Sequence, residues 1–324
     1  LMIGSEGTLG FVAEAVFNTV PVPKRTATGL LMFDSLDAAT EALPKLVYSG
    51  ADVVELIDAA SIRAMGPDAS SVLPKGFNVD QHASLLVEYQ AMDDEGIAEH
   101  IATGEATFEQ LDGLSTPPEM TNEASRRAQM WVMRNGLYTK IMRNRPKGTM
   151  ALLEDIAVPM EQLGGVCTEL QVLFDKHNYD GAVIFGHAKN GNIHFLVTED
   201  FAGPESLNRY DQFTEDMVLR EQGTLKAEHG TGRIMSPFVH RQYGDDLYQA
   251  MVDVKNACDP KRILNPGTII TDDPQLHLKH IKPTDPVRQI IDDCVECGYC
   301  EPVCPSQHLT TTPRQRIVIQ RAIA

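Results

Sequence analysis

Four cysteines near the end of the chain, Cys294, Cys297, Cys300 and Cys304, are separated by two, two and three residues, and the last precedes Pro305. That pattern suits a 4Fe-4S cluster. Three thiolates two residues apart wrap one cubane on a tight loop, and the cysteine before proline completes it or reaches toward a second cluster. Zinc sites usually pair two separated Cys-x-x-Cys units and lack the Cys-Pro ending, so electron transfer is the chemistry to expect first. A second constellation is built on histidine. His187 and His194 flank Asn190-Gly191, a strong hairpin dipeptide. With Asn190 and Gly191 as the central pair of the turn, antiparallel pairing sets His187 opposite His194, with Cβ atoms about 5 Å apart, close enough to share a metal ion. A lone buried histidine is usually a core residue; a facing pair beside a sharp turn points to a shared metal or substrate.

Downstream, Glu228 and His229 adjoin Gly230 and Gly232. As a charged loop they could simply cap the segment that follows; beside the histidine pair they add a third ligand and a base. Two imidazoles and a carboxylate leave open positions on a divalent ion, zinc or manganese, where a hydroxy acid chelates through its carboxylate and hydroxyl. His229 then takes the hydroxyl proton.

These side chains need a scaffold, and the hydrophobic pattern outlines one. Segments 29–33, 52–57, 84–89 and 151–158 read as strands, 36–48, 94–111, 122–142, 161–177, 205–222 and 245–257 as helices, and 182–186 with 193–197 as the hairpin. Strands interleaved with helices predict an α+β fold, a sheet layered by helices. Residues 4–10 form a glycine-rich turn that leads into an apolar, strand-like run over 11–20. The proline- and aspartate-rich stretch 271–286 reads as a linker to the cysteine module.

At 324 residues the chain has material for about two domains. Lysine and arginine number 28 against 45 acidic residues, and the net charge of −17 argues against a nucleic-acid or anionic-membrane surface. Cys167 and Cys258 stand alone in helical segments, which fits a reducing cytosolic compartment better than a disulfide scaffold. No run approaches the length of a membrane-spanning helix, so membrane contact is expected to be peripheral, at the inner face. The first residues already lie inside a strand-and-turn element, as expected for a piece of a longer polypeptide.

Together these stretches resemble the FAD-linked oxidases of the vanillyl-alcohol oxidase type, and within them the D-lactate and D-2-hydroxyglutarate dehydrogenases that carry a C-terminal iron–sulfur domain. Gly4, Ser5, Glu6, Gly7, Thr8, Leu9 and Gly10 look like the end of the family's FAD-binding domain, and Asn265 falls in a segment like the one that returns toward the flavin. The resemblance implies an antiparallel, ferredoxin-like sheet with helices packed on it. It divides the chain into an FAD-domain tail (1–22), a substrate domain (23–272), a linker (273–286) and the start of an α-helical 4Fe-4S module (287–324). It makes His187, His194 and Glu228 ligands of a divalent metal, His229 the general base, and Arg134 the anchor of the substrate carboxylate. An arginine suits that task because its planar fork pairs two oxygens at once.

By the same resemblance a D-2-hydroxy acid is oxidised, lactate-like ahead of hydroxyglutarate or glycolate. Electrons pass through FAD and the cluster to a quinone, cytochrome or electron-transfer flavoprotein, and assembly with further copies of the chain stays open. One departure bears on the substrate. Where hydroxyglutarate-type members carry a second cation, residues 151–155 offer leucines, Glu154 and Asp155, with Lys140, Arg143, Arg145 and Lys147 as nearby substitutes. A non-catalytic electron-transfer subunit and a metal-dependent hydrolase are the competing classes; the intact histidines oppose the first, and the lack of a G-x-S-x-G motif opposes the second.

Overall fold

The computed structural model describes residues 1–220, 224–282 and 286–323. In chain order its elements are β1 (Arg25–Phe33), α1 (Leu36–Tyr48), β2 (Val53–Ile57), α2 (Ala59–Met65), α3 (Pro67–Ser70), β3 (Ala83–Ala91) and α4 (Asp94–Phe108). These are followed by β4 (Glu119–Thr121), α5 (Ala124–Asn135), α6 (Leu137–Asn144), β5 (Met150–Ala157), α7 (Leu163–Lys176), β6 (Val183–His187) and β7 (Asn192–Glu199). Then come α8 (Pro204–Arg220), α9 (Val239–Cys258), α10 (Gln289–Asp292) and α11 (Pro313–Ile323). The strands form one antiparallel sheet in the order β4-β1-β3-β2-β6-β7-β5.

Helices cover both faces of this sheet, which is why β1 and β3 read as nearly unbroken apolar runs although their pairing is antiparallel. On one face Leu31, Leu85, Leu56 and Phe195 pack with Leu43 of α1, Phe108 of α4, Leu170 of α7 and Phe213 of α8. On the other face Leu30, Leu86, Phe185 and Leu196 pack with Ile62 of α2, Met133 of α5 and Ile141 of α6. Strand alternation and the register Thr28↔Glu88, Glu55↔His187, Phe185↔His194 and Asp155↔His194 place all these polar side chains on this second face. A polar strip therefore runs across the middle of the sheet beneath α5.

Three sequence expectations change. Residues 11–20 form no strand, and Phe11, Val16, Phe17 and Val20 are exposed; a β-prone run without a neighbouring edge leaves its backbone groups to water. The helix expected over 122–142 divides at Gly136 into α5 and α6. The stretch 271–286 is not a free tether: Leu276 and His277 are buried, and His277 Nε2 meets Asp211 Oδ1 at 2.8 Å. Residue 222, the expected end of α8, and residues 283–285 of the expected linker lie outside the described residues.

Helix α2 begins at Asp58, whose Oδ1 accepts the Ser61 N–H at 2.8 Å. Burial pushes the Asp58 carboxyl up from 3.8 to about 6. The folded state thus holds a proton that the unfolded chain releases between these values, so this contribution is fully present below about pH 4 and lost as pH rises through about 6. The loss amounts to about 3 kcal/mol. Asp58→Asn should raise the denaturation midpoint at pH 8 far more than at pH 4; parallel pH curves for the two proteins would refute this.

Candidate functional site

The β6–β7 hairpin builds the centre of the site. Its loop is longer than a two-residue turn: a 3₁₀ turn over Ala188–Asn190 is closed by Gly191 at φ +64°, whose N–H donates to the Ala188 carbonyl at 3.0 Å. His187 therefore pairs with Asn192, and His194 with Phe185, in place of the expected His187–His194 pair. A slip of two residues preserves the face. The two imidazoles remain diagonal neighbours, with ring centroids 5.2 Å apart and planes perpendicular.

Glu55, directly across from His187 on β2, was not singled out by the sequence, yet it ties two expected site residues together. Its Oε1 lies 2.6 Å from His187 Nδ1 and its Oε2 accepts from Arg134 Nε at 2.6 Å. This hydrogen bond raises the His187 pKa and directs Nε2 away from β2. Arg134 also lies over the Phe185 ring, 5.0 Å from its centroid. Its neighbours on α5 reach a second buried carboxylate, with Trp131 Nε1 donating to Glu88 Oε2 at 2.9 Å.

Glu228 closes the cluster. Its Oε1 stands 3.0 Å from His194 Nε2, 3.4 Å from His187 Nε2 and 3.8 Å from His229 Nε2. Burial, reinforced by His229 and His187, pushes His194 down to about 3, so it is a neutral imidazole at ordinary pH. The donor atoms of His187, His194 and Glu228 lie within 4.8 Å of one another, a grouping suited to one divalent ion. A pocket of about 330 Å³ opens beside them, lined by Asp52, Glu55, His187, Asn190, Asn192 and Glu228 among others.

Two acids on β5 hold the loop that carries Glu228 and His229. Asp155, fully buried, accepts the backbone N–H groups of Ala227, Glu228 and His229 at 3.2, 2.6 and 3.2 Å on a single oxygen, Oδ2. Glu154, on the opposite face of β5, forms an ion pair with Lys226; burial pushes its carboxyl up against the pull of that lysine. The next turn of the loop is held from the N-terminal segment, where Glu6 accepts Thr231 N–H at 2.5 Å and Gly232 N–H at 2.7 Å.

The expected flavin-side residues also converge. Asn265 Nδ2 donates to the Glu6 carbonyl at 2.6 Å, and buried Lys255 donates to the carbonyls of Thr8 and Leu264 and to Asp259. Ser5 and Thr8 knit residues 2–8 into a compact turn, with Gly4 and Gly7 at positive φ. Leu9 lies in an apolar groove against α9, and a Cβ at Gly10 would meet the Met2 side chain. The glycine-rich turn thus abuts the Glu-His loop.

The four cysteines lie on the loop between α10 and α11. Two arginines of α11 clamp that loop: Arg321 reaches Glu296 and the Cys294 carbonyl, and Arg314 reaches Glu301. Val295 packs on the core of the sheet's second face. Of the nearby cations, Lys140 pairs with Asp68, Arg143 lies 3.7 Å from Asp293, and Arg145 donates to the carbonyls of Thr149 and Met142. These three are engaged in structural contacts.

The helix-covered antiparallel sheet thus carries a His-His-Glu cluster under a Glu-His loop, and a glycine-rich turn docks on that loop. The chain belongs to the family described as FAD linked oxidases, C-terminal domain, whose model matches residues 22–269. Among curated proteins it is 28% identical over 279 residues to the glycolate oxidase subunit GlcD of Bacillus subtilis, covering 84% of this chain and 57% of that protein. It is 25% identical to a probable mitochondrial D-lactate dehydrogenase of Danio rerio, covering 83% and 53%. It is 26% identical to the D-2-hydroxyglutarate dehydrogenase of Escherichia coli K12, covering 99% and 35%. The chain therefore spans about half or less of the length of these relatives. The fold matches the 4-ethylphenol oxidase of Gulosibacter chungangensis with a TM-score of 0.53 at 15% identity, over 78% of this chain and 55% of that one.

Proposed function

We propose that this chain is the substrate-binding and electron-exit part of an FAD-dependent dehydrogenase that oxidises a D-2-hydroxy acid to the 2-oxo acid. The observation that carries it is the convergence of His187, His194 and Glu228 with His229 alongside. The donor set fits a divalent metal: a neutral imidazole, a second imidazole oriented by a carboxylate, and a half-exposed carboxylate. A bound metal would supply a Lewis acid that lowers the hydroxyl pKa. Residues 4–10 would form part of the FAD site, whose remainder lies outside this chain, and bound FAD would supply the two-electron acceptor for the α-hydride. A 4Fe-4S cluster on Cys294, Cys297, Cys300 and Cys304, whose soft thiolates suit it, would pass electrons singly to a quinone, cytochrome or electron-transfer flavoprotein.

The chain's own residues then bind and deprotonate. Arg134, with Nε engaged by Glu55, presents its terminal nitrogens to the substrate carboxylate. His229 takes the hydroxyl proton on Nε2, the nitrogen facing Glu228. The acidic lining, Asp52, Glu55 and Glu228, opposes a second substrate carboxylate and favours a short, lactate-like acid. D-2-hydroxyglutarate is the second reading, supported by an alignment to such an enzyme that extends over 99% of the chain.

Anaerobic mixing of the complete enzyme with D-lactate should bleach the flavin faster than D-2-hydroxyglutarate or glycolate does, and chelation of the metal should abolish bleaching until zinc or manganese is returned. Failure of all three acids to bleach the flavin sinks the proposal; a faster reaction with hydroxyglutarate transfers it to the second reading. Glu55→Gln should weaken metal affinity about 10- to 100-fold, because His187 loses its orienting carboxylate. Metal titration of the chelator-stripped enzyme measures this, and an unchanged affinity would detach Glu55 from the metal site.

A further inference from the structure

Asp155 is used in a lopsided way. Its Oδ2 receives three backbone N–H groups, while Oδ1, equally buried, has no hydrogen-bond partner among the described residues. A buried carboxylate oxygen without a donor is costly, so a donor should face it. The ion-pair contact from Oδ1 goes to His229 Nδ1, at 3.6 Å. That is longer than a hydrogen bond, but contacts of this kind commonly tighten only once substrate is bound.

The His229 ring is also fixed in plane. It stacks on His194 with centroids 4.8 Å apart and planes 10° from parallel. With Nδ1 toward Asp155, the opposite nitrogen, Nε2, faces Glu228 Oε1 at 3.8 Å. One carboxylate thus controls both the backbone that carries the imidazole and the edge that the imidazole turns inward.

We propose that Asp155 is the positioning residue of the base: Oδ2 fixes the backbone of residues 227–229, and Oδ1 receives the Nδ1 proton of His229, leaving Nε2 bare and aimed at the ligand cluster. The inference rests on His229 being the base. Asp155 never touches the substrate and acts by holding one tautomer. The hydroxyl proton passes to Nε2 while the Nδ1–H bond to Asp155 steadies the imidazolium that forms. His194 lies directly across the strand pair from Asp155 and also carries a buried Nδ1 with no hydrogen-bond partner among the described residues; ligation through its Nε2, 3.0 Å from Glu228, would leave the proton on that Nδ1. A bond from Asp155 to His194 is the rival arrangement.

Nitrogen NMR of the complete enzyme labelled at histidine, with the His229 signal assigned by its loss in His229→Ala, tests this without measuring activity. The expected result is an Nδ1–H tautomer in the wild type that converts to Nε2–H in Asp155→Asn, whose amide can turn its NH₂ toward the ring. A wild-type His229 protonated on Nε2 overturns the proposal, and this measurement needs no Asp155 variant to fold. In stopped flow, Asp155→Asn at saturating metal should slow flavin reduction by at least about 100-fold. The same change made in His229→Ala should cost nothing further, since the two act as one unit. An equal additional loss in that background, or weakened metal binding with the metal-saturated rate intact, would place Asp155 on the loop or on His194 and overturn it. If His229→Ala alone leaves reduction fast, the reading of His229 as base fails while the tautomer result still stands or falls by itself.

Discussion

Exchanging Gly191 for alanine is expected to cost about 4 kcal/mol of folding free energy and to disperse the metal-type cluster. Gly191 sits at φ +64°, and a Cβ placed there would stand 1.9 Å from the Val158 carbonyl oxygen and 3.1 Å from its carbon. Both atoms are backbone, so no side-chain rotation relieves the clash. The same stretch also bonds the turn, Val158 N–H donating to the Gly191 carbonyl at 3.0 Å. Relief therefore means pulling the β6–β7 turn off the chain that leaves β5. That shift moves His187 and Asn192, the first residues on either side of the turn, and carries His194 away from Glu228. Gly165, on the exposed side of α7 with open space within 4 Å of where a Cβ would stand, is the control. There alanine should stabilise by about 0.5–1 kcal/mol, the ordinary helix preference. Urea denaturation of both variants, with metal titration, measures the contrast; a Gly191→Ala protein within about 1 kcal/mol of wild type would refute the account.

The scaffold was legible where periodicity is strong and local. Helix α1 follows from the amphipathic run that starts after Ser35, whose Oγ accepts the Ala38 N–H at 3.1 Å. The hairpin follows from Asn190-Gly191, but that dipeptide announces a turn without stating how many residues the loop takes up, and the 3₁₀ turn absorbs two more than expected. The site residues named by motif, His187, His194, Glu228 and His229, do converge. Glu55 belongs to no motif in the sequence, and Glu154 and Asp155 register there only as acids where a cation is expected. Their roles come from pairing: Glu55 opposes His187, and Asp155 opposes His194, across strands far apart in the chain. A carboxylate in a strand gives one local signal, an acid among apolar neighbours. That signal justifies asking which donor awaits it across the sheet, but only the register answers.

The Cys297→Ala protein should separate the two halves of the reaction. If the quartet holds one cubane, loss of a thiolate removes one of its four ligands, and the visible absorption of the cluster should disappear. The substrate half should survive. His187, His194, Glu228 and His229 are held by β2, β5 and the N-terminal segment, whereas the cysteine loop is held mainly by Arg314 and Arg321 of α11. D-lactate should therefore still bleach the flavin at close to the normal rate, while turnover with an external acceptor collapses. The module's seat on the domain suits it to serve as the exit. Burial raises the Tyr138 hydroxyl pKa, with Cys297 and Tyr299 near enough to raise it further, and Tyr138 on α6 follows Arg134 of α5 by four residues. The cysteine loop thus packs through Val295 on the same core that Tyr138 of α6 and Met133 of α5 join. Metal analysis of the wild type completes the test: zinc in place of iron would make the loop a structural knuckle, and undiminished acceptor turnover in Cys297→Ala would show that electrons leave by another path.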